Sequence, residues 1–385
     1  MFIPRILKRH VMEGIKNNPV TAVIGPRQSG KSTLVRNILL EFNNSLYLDL
    51  ERPSDLARLD QAEWFLQSLK DKLICLDEIQ RKPEIFPLIR SLADEWGDNG
   101  HFLILGSASR DLLRQSSESL AGRISFKLLT PFLWEEICDN TQLEEYLSKG
   151  GYPRSLLQTD DSASFMWRKD FIMTYLERDL LQWSGFSPTT MGKLWQMLAW
   201  LNGQTVNFSS LGSSLGVSHT TVKNYIELLH ATFMVTIVRP HQANTGKRLI
   251  KSPKVYISDT GITAALLDLK DFSSITGHPV FGSIWESAVL ANIAGHFPSL
   301  DITFYQTSHG AELDFLIADS KRCVAIECKA SMSPSLSKGS YTAISDLKPI
   351  KTLVVSPVKN GYPVNTDILV VSLEELISEL KLIFI

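Results

Sequence analysis

Three groups of residues have types and spacings that could do chemistry. The first is Gly25-Pro26-Arg27-Gln28-Ser29-Gly30-Lys31-Ser32-Thr33, which fits G-x-x-x-x-G-K-[ST] at every fixed position. Glycines at 25 and 30 let the loop curl so that backbone N–H groups and a helix N-terminus converge on a polyphosphate. Lys31 would reach the β- and γ-phosphates of ATP. The Ser32 hydroxyl would ligate a Mg²⁺ bridging them, with Thr33 beside it as a substitute. The second group is Asp77-Glu78, closing the apolar run Leu73-Ile74-Cys75-Leu76. Asp77 would hold the Mg²⁺ shell, and Glu78 is placed to polarise an attacking water. The third is Glu286, Asp314, Glu327 and Lys329. Asp314 and Glu327 could share a Mg²⁺, Lys329 could activate a hydroxide, and Glu286 could complete the shell; an ion pair between Lys329 and one of the acids is the plainer alternative.

Two single residues join the first two groups. Ser107 ends the apolar run Phe102-Leu103-Ile104-Leu105-Gly106 and could sense the γ-phosphate or orient the water. Arg123, in Ser119-Leu120-Ala121-Gly122-Arg123, is the first choice for an arginine meeting the transition-state charge, in cis or from a neighbouring subunit.

Positioning these groups requires a sheet. Val20-Thr21-Ala22-Val23-Ile24 reads as the strand before the loop, and Leu34 to Leu40 as the helix after it. Strands follow at Ser45 to Glu51, Lys72 to Glu78 and His101 to Ser107, with an amphipathic helix expected near Asp55 to Lys70. Alternating strands and helices imply a parallel sheet with its ligand at the carboxyl edge. In the C-terminal part, strands are expected at Asp301 to Gln306, Ala311 to Ala318 and Arg322 to Lys329; alternation puts Glu327 and Lys329 on one face.

Between them, 141–182 reads as helix-rich, broken at Gly150-Gly151-Tyr152-Pro153, and could form a lid. Phe208 to Leu229 reads as helix, short turn, helix, with Leu211, Leu215, Val217, Val222, Ile226 and Leu229 as its apolar seam and Ser218 as N-cap. Met234 to Arg239 suggests a wing. DNA could be contacted by Ser218, His219, Thr220, Thr221 and Lys223, with Arg239, His241, Lys247, Arg248, Lys251 and Lys254 adding a basic stretch.

A chain of 385 residues suggests two or three domains, and 44 % apolar with 21 % charged residues describes a soluble globular protein. A net charge of −2 means that any nucleic-acid surface must be a local patch. Four scattered cysteines without a C-x-x-C pair read as reduced, buried thiols, and no apolar stretch reaches membrane-spanning length, so a cytoplasmic protein is expected. The expected fold class is α/β: a P-loop NTPase parallel sheet over 1–140, a helical and winged-helix segment over 141–245, and a restriction-endonuclease-like α/β domain over 246–385.

The loop, Leu76-Asp77-Glu78-Ile79-Gln80, Leu105 to Ser109, Ser119 to Arg123, Tyr175-Leu176-Glu177-Arg178-Asp179, Tyr256-Ile257-Ser258-Asp259-Thr260-Gly261 and Ala311 to Phe315 together resemble prokaryotic AAA-type ATPases that carry a C-terminal DUF4143 domain. The third chemical group resembles the PD-(D/E)xK nuclease fold, with Leu313-Asp314 in place of Pro-Asp. The resemblance implies a nucleotide-binding core, a helical and winged-helix middle and a nuclease-like end. The expected function is ATP hydrolysis that switches how the later domains engage a partner such as DNA. An ATP-dependent nuclease and a nucleotide-gated scaffold are the alternatives. An arginine finger in trans would require a homo-oligomer.

Overall fold

A computed structural model describes residues 2–107, 120–179, 185–242, 247–319 and 322–384. The chain divides into two compact units, Met1–Phe132 with Ala231–Phe233, and Leu133–His230 with Met234–Ile385.

The first unit is built on five parallel strands: β1 (Val20–Gly25), β2 (Ser45–Asp49), β3 (Leu73–Asp77), β4 (Phe102–Ser107) and β5 (Ile124–Leu128), in the order β2-β3-β4-β1-β5. Strands β1 and β3 are buried along their whole length, as expected of a parallel sheet covered on both faces. One face packs Val20, Ala22, Ile74, Leu76, Phe102 and Ile104 against Ile89 and Leu92 of α3 (Phe86–Trp96); the other packs Val23, Cys75, Leu103 and Leu105 against α1 (Leu7–Asn17) and α2 (Lys31–Leu39). The helix expected near Asp55 to Lys70 is instead two short ones, Pro53–Ala57 and Ala62–Gln67, anchored in the core by Leu66 in the second and Leu59 in the turn between them. A five- or six-residue helix matches the little apolar surface available to hold it.

The second unit carries an eight-stranded mixed sheet in the order β12-β13-β11-β10-β9-β8-β6-β7. Its strands are β6 (Val235–Pro240), β7 (Lys254–Ile257), β8 (Ile302–Gln306), β9 (Glu312–Ala318), β10 (Cys323–Cys328), β11 (Lys351–Val355), β12 (Tyr362–Pro363) and β13 (Ile368–Val371). The strand expected as a free wing is β6. It pairs antiparallel with β7 and also parallel with β8, through Arg239↔Thr303 and Pro240↔Phe304. A boundary at 245/246 would therefore cut a hairpin of one continuous sheet.

Before that hairpin come α4 (Phe208–Leu215) and α5 (His219–Ala231). Ser218 caps α5, its Oγ accepting from Thr221 N at 3.0 Å. A Cβ on Gly212 would meet the Val217 carbonyl oxygen at 2.7 Å, so this turn needs glycine to close. Val222, Ile226 and Leu229 are buried, as is Leu211, while Leu215 and Val217 are only half-buried. Tyr175–Asp179 is a turn of π-helix.

Asp259 explains one of the strings that carried the resemblance, Tyr256 to Gly261, together with the break at Gly150-Gly151. Its carboxylate accepts from Gly151 N at 2.7 Å and from Ile262 N at 2.9 Å, capping the helix Thr260–Leu266. Gly150 leaves room for that carboxylate, which a Cβ would approach to 2.1 Å. Arg168, buried beside it, donates to the Ser148 and Gly261 carbonyls. These residues hold the second unit together.

Cys75 and Cys328 are buried free thiols, whereas Cys138 and Cys323 are only partly buried, so the expectation of four buried thiols holds for two. Among the described residues no helix is long and apolar enough to cross a membrane.

Candidate functional sites

Strand β1 ends at Gly25, and Gly30, at φ 97°, opens α2 in a left-handed conformation that glycine adopts without strain. A Cβ on Gly25 would meet the Leu129 carbonyl oxygen at 2.1 Å, so the loop backbone lies directly on the residue after β5. Within the loop, Ser29 Oγ donates to Pro26 O at 2.9 Å. Lys31 Nζ donates to Gly25 O at 3.0 Å and Pro26 O at 2.8 Å, which stations its ammonium across the loop. Burial lowers the Lys31 pKa to about 8, against the pull of the Glu78 and Asp77 carboxylates. Arg27 is half-buried and its charge lowers Lys31 further; Gln28 is exposed at φ 60°. Ser32 is half-buried and Thr33 exposed, which favours Ser32 as the hydroxyl facing into the site.

The parallel register brings the second group to the same edge. Asp77 closes β3 opposite Asp49. Its Oδ1 accepts from Glu78 N at 2.9 Å and its Oδ2 from the Tyr47 hydroxyl. Tyr47 in turn lies under the Arg36 guanidinium, 4.7 Å from its ring centroid. Burial and the bond to Asp77 push the Tyr47 pKa up, so the phenol remains a donor. Glu78 has φ 55°, uncommon for a non-glycine residue, and its carboxylate accepts from Gln80 Nε2. Burial raises the Glu78 pKa, as does Asp77, while Lys31 opposes them. A carboxyl tuned upward suits proton transfer near neutral pH.

Ser107 pairs in register with Gly25, and β4 lies between β1 and β3. Its backbone is thus midway between the loop and the Asp77-Glu78 pair; its side chain, with residues 108–119, lies outside the described residues.

Arg123 is elsewhere. Its carbonyl accepts from Val20 N, at the start of β1, so it sits at the amino edge, about 16 Å of strand from Gly25. Its guanidinium grips Asp94, with Nη2 to Oδ2 at 2.9 Å. The register rules out a role at its own nucleotide.

Sequence reasoning missed Arg5. Only 7 % exposed, it donates from Nη1 to Ser29 O at 2.9 Å and from Nη2 to Thr130 O at 2.7 Å, over the Phe132 ring. Arg5 therefore straps the phosphate loop to the strand exit beside it. Arg5→Ala is expected to lower stability by about 2–4 kcal/mol and weaken ATP binding several-fold. Arg5→Lys, which keeps the charge but not the fork, should recover little of either. Thermal unfolding and calorimetric ATP titration measure the two effects.

The third group does assemble. Glu286 on α6 (Phe281–His296), Asp314 on β9, Glu327 on β10 and Lys329 just after it line one cavity of about 420 Å³. Glu286 Oε2 accepts from the Tyr256 hydroxyl at 2.9 Å, and Asp314 Oδ2 from Cys328 N at 2.8 Å. Glu327 Oε1 accepts from Lys329 Nζ at 2.7 Å and Ser340 Oγ at 2.9 Å, so the ion pair weighed from the sequence is present. Burial and the neighbouring acids raise the pKa of Glu286 and, more strongly, of Asp314. Among the described residues, no three His, Cys, Asp or Glu side chains close around a point that could hold a metal ion.

Lys254 belongs to this cavity and not to a phosphate-facing surface. It is 3 % exposed and bonded to Glu312 at 2.7 Å. Lys247 is likewise engaged, with Asp346 at 2.6 Å. Of the expected basic stretch, Arg239, Arg248 and Lys251 are exposed, and His241 is half-buried against Thr303.

Three stretches of the chain match known domain families. Residues 17–138 match an AAA domain, 140–273 a domain of unknown function (DUF8612) and 281–376 a domain of unknown function (DUF4143). Among solved structures, the Walker-type ATPase PABY2304 of Pyrococcus abyssi aligns at 18 % identity over 69 % of this chain and 96 % of its own, with a TM-score of 0.48. The uncharacterized proteins Mb2031c of Mycobacterium bovis and Rv2008c of Mycobacterium tuberculosis are each 35 % identical over 361 residues, 94 % of this chain and 81 % of theirs. The chain belongs to the same family as these mycobacterial proteins, and it carries an AAA-type P-loop ATPase domain followed by DUF8612 and DUF4143 domains.

Proposed function

We propose that the chain hydrolyses ATP and that its nucleotide state controls how the second unit engages a partner, DNA being the candidate argued here. The observation that carries this reading is the meeting of Lys31, Asp77 and Glu78 at one carboxyl edge, with Ser107 in register between them. In it, residues Gly25 to Thr33 hold the phosphates through backbone N–H groups and the Lys31 ammonium. Ser32 and Asp77 are the groups that would hold Mg²⁺, which supplies charge neutralisation at the phosphates. Glu78 takes a proton from the attacking water, and Gln80 and Tyr47 orient the two carboxylates. Arg123 acts only in trans, after leaving Asp94, so that role entails a homo-oligomer.

The exposed start of α5, with His219, Thr220 and Lys223, and the exposed Arg239, Arg248 and Lys251 support DNA as partner. ATP turnover should rise on adding unrelated duplex at low salt, and the rise should vanish as salt increases. No binding at low salt removes DNA and leaves a nucleotide-gated scaffold. A second reading, an ATP-dependent nuclease, is favoured by one observation: Glu286, Asp314, Glu327 and Lys329 line a single cavity, and Glu327 Oε2 is buried there without a hydrogen-bond partner. Metal-dependent nicking that disappears in Glu327→Ala would support it.

A further inference from the structure

We infer that Lys254 is a built-in counter-ion for the carboxylate cavity of the second unit. Its ammonium takes the place of a divalent cation there, and the cavity accepts such a cation only when that ammonium is removed. The inference goes beyond the proposed function and opposes its nuclease reading, which needs the cavity to accept a metal ion with Lys254 in place.

Four acids, Glu286, Glu312, Asp314 and Glu327, face two lysines in the cavity. Lys329 is committed to Glu327. Lys254 bonds Glu312 at 2.7 Å and stands 3.9 Å from Asp314 Oδ1. Burial works against its charge, while the neighbouring Asp314, Glu312 and Glu286 favour it. Four acids against two lysines leave the cavity short of positive charge, and Glu327 Oε2 is buried there without a hydrogen-bond partner among the described residues. The cavity already holds an ammonium between its acids, and among the described residues no three carboxylates close around a coordination point.

Lys254 is also held in place by its backbone. It opens β7 and bridges to Thr205, while the flanking Pro253 O and Val255 O accept from Val206 N and Gly203 N. With the strand pinned at both sides, the Lys254 backbone is fixed at the cavity wall, and Glu312 holds the ammonium inside it.

The test is Mn²⁺ binding to the full chain without nucleotide, by calorimetry and thermal shift. Lys254→Met should bind one Mn²⁺ about tenfold or more tightly than wild type, and adding Asp314→Asn should abolish the gain. Lys254→Gln, which can still donate to Glu312, should show the same order of effect if Lys254→Met proves too unstable to purify. Mn²⁺ should raise the melting temperature of either variant more than that of wild type.

The inference is overturned if neither variant binds Mn²⁺ more tightly than wild type, or if the gain survives Asp314→Asn. Wild-type chain that nicks DNA with Mg²⁺ and loses this with Glu327→Ala would keep the nuclease reading and sink the lysine's role. A gain in Mn²⁺ affinity alongside a wild type that never cuts would do the reverse.

Discussion

Glutamine at position 78 is expected to leave ATP bound and to slow its hydrolysis by about 10²–10⁴-fold, the usual contribution of a positioned general base. The substitution changes one oxygen to an amide, keeps the volume, and leaves the phosphate loop untouched. Glu78 already sits at φ 55° with its carboxylate steered by Gln80, so the backbone that aims the side chain should survive. Single-turnover hydrolysis with radiolabelled ATP, alongside equilibrium binding, separates the two quantities. Unchanged turnover would remove Glu78 from the chemistry and move the proton acceptor elsewhere on the edge.

Lys31→Ala should instead abolish binding. The loss of charge-assisted bonds to phosphate is expected to cost about 10²-fold or more in ATP affinity, with turnover undetectable at millimolar ATP. The native lysine carries its own pH signature. Burial holds its pKa at about 8 in the nucleotide-free loop, so the ammonium is present below that pH and lost above it. ATP binds the protonated form, so affinity should be flat below pH 8 and fall about tenfold per pH unit above it. Binding in that upper range should take up a proton, which titrations in buffers of different ionisation enthalpy would reveal. Affinity that does not change up to pH 9.5 would mean that the free loop does not lower the Lys31 pKa to about 8.

The parts of the site that could be read in the sequence are those whose residues are neighbours in the chain. Gly25 to Thr33 and Asp77-Glu78 are local strings with a strand before them, and β1, β3, β9 and β10 came within a residue or two of their expected bounds. Contacts that span long separations left no local trace. Tyr47 reaches Asp77 across 30 residues, and Arg5 reaches Thr130 across 125. For Arg123 the choice between cis and trans stayed open for a related reason: a string of residues does not say which edge of a sheet it will reach, and the pairing of Val20 with Ile124 puts it at the amino edge. Lys254 looked like one more member of a basic run, and only the fold shows that its neighbours are acids. The strand expected as a wing, β6, forms a hairpin with β7, but its sequence does not show that its other edge pairs with β8.

The strap from Arg5 has a practical side for anyone trimming the protein. The stretch that matches the AAA domain starts at residue 17, and a fragment cut to that point would discard the guanidinium and α1 together. Such a fragment would bare Val11's partners on the sheet and leave the Ser29 and Thr130 carbonyls without their shared donor. Its feeble nucleotide affinity could then be mistaken for a property of the intact enzyme, when the fault would lie with the scissors.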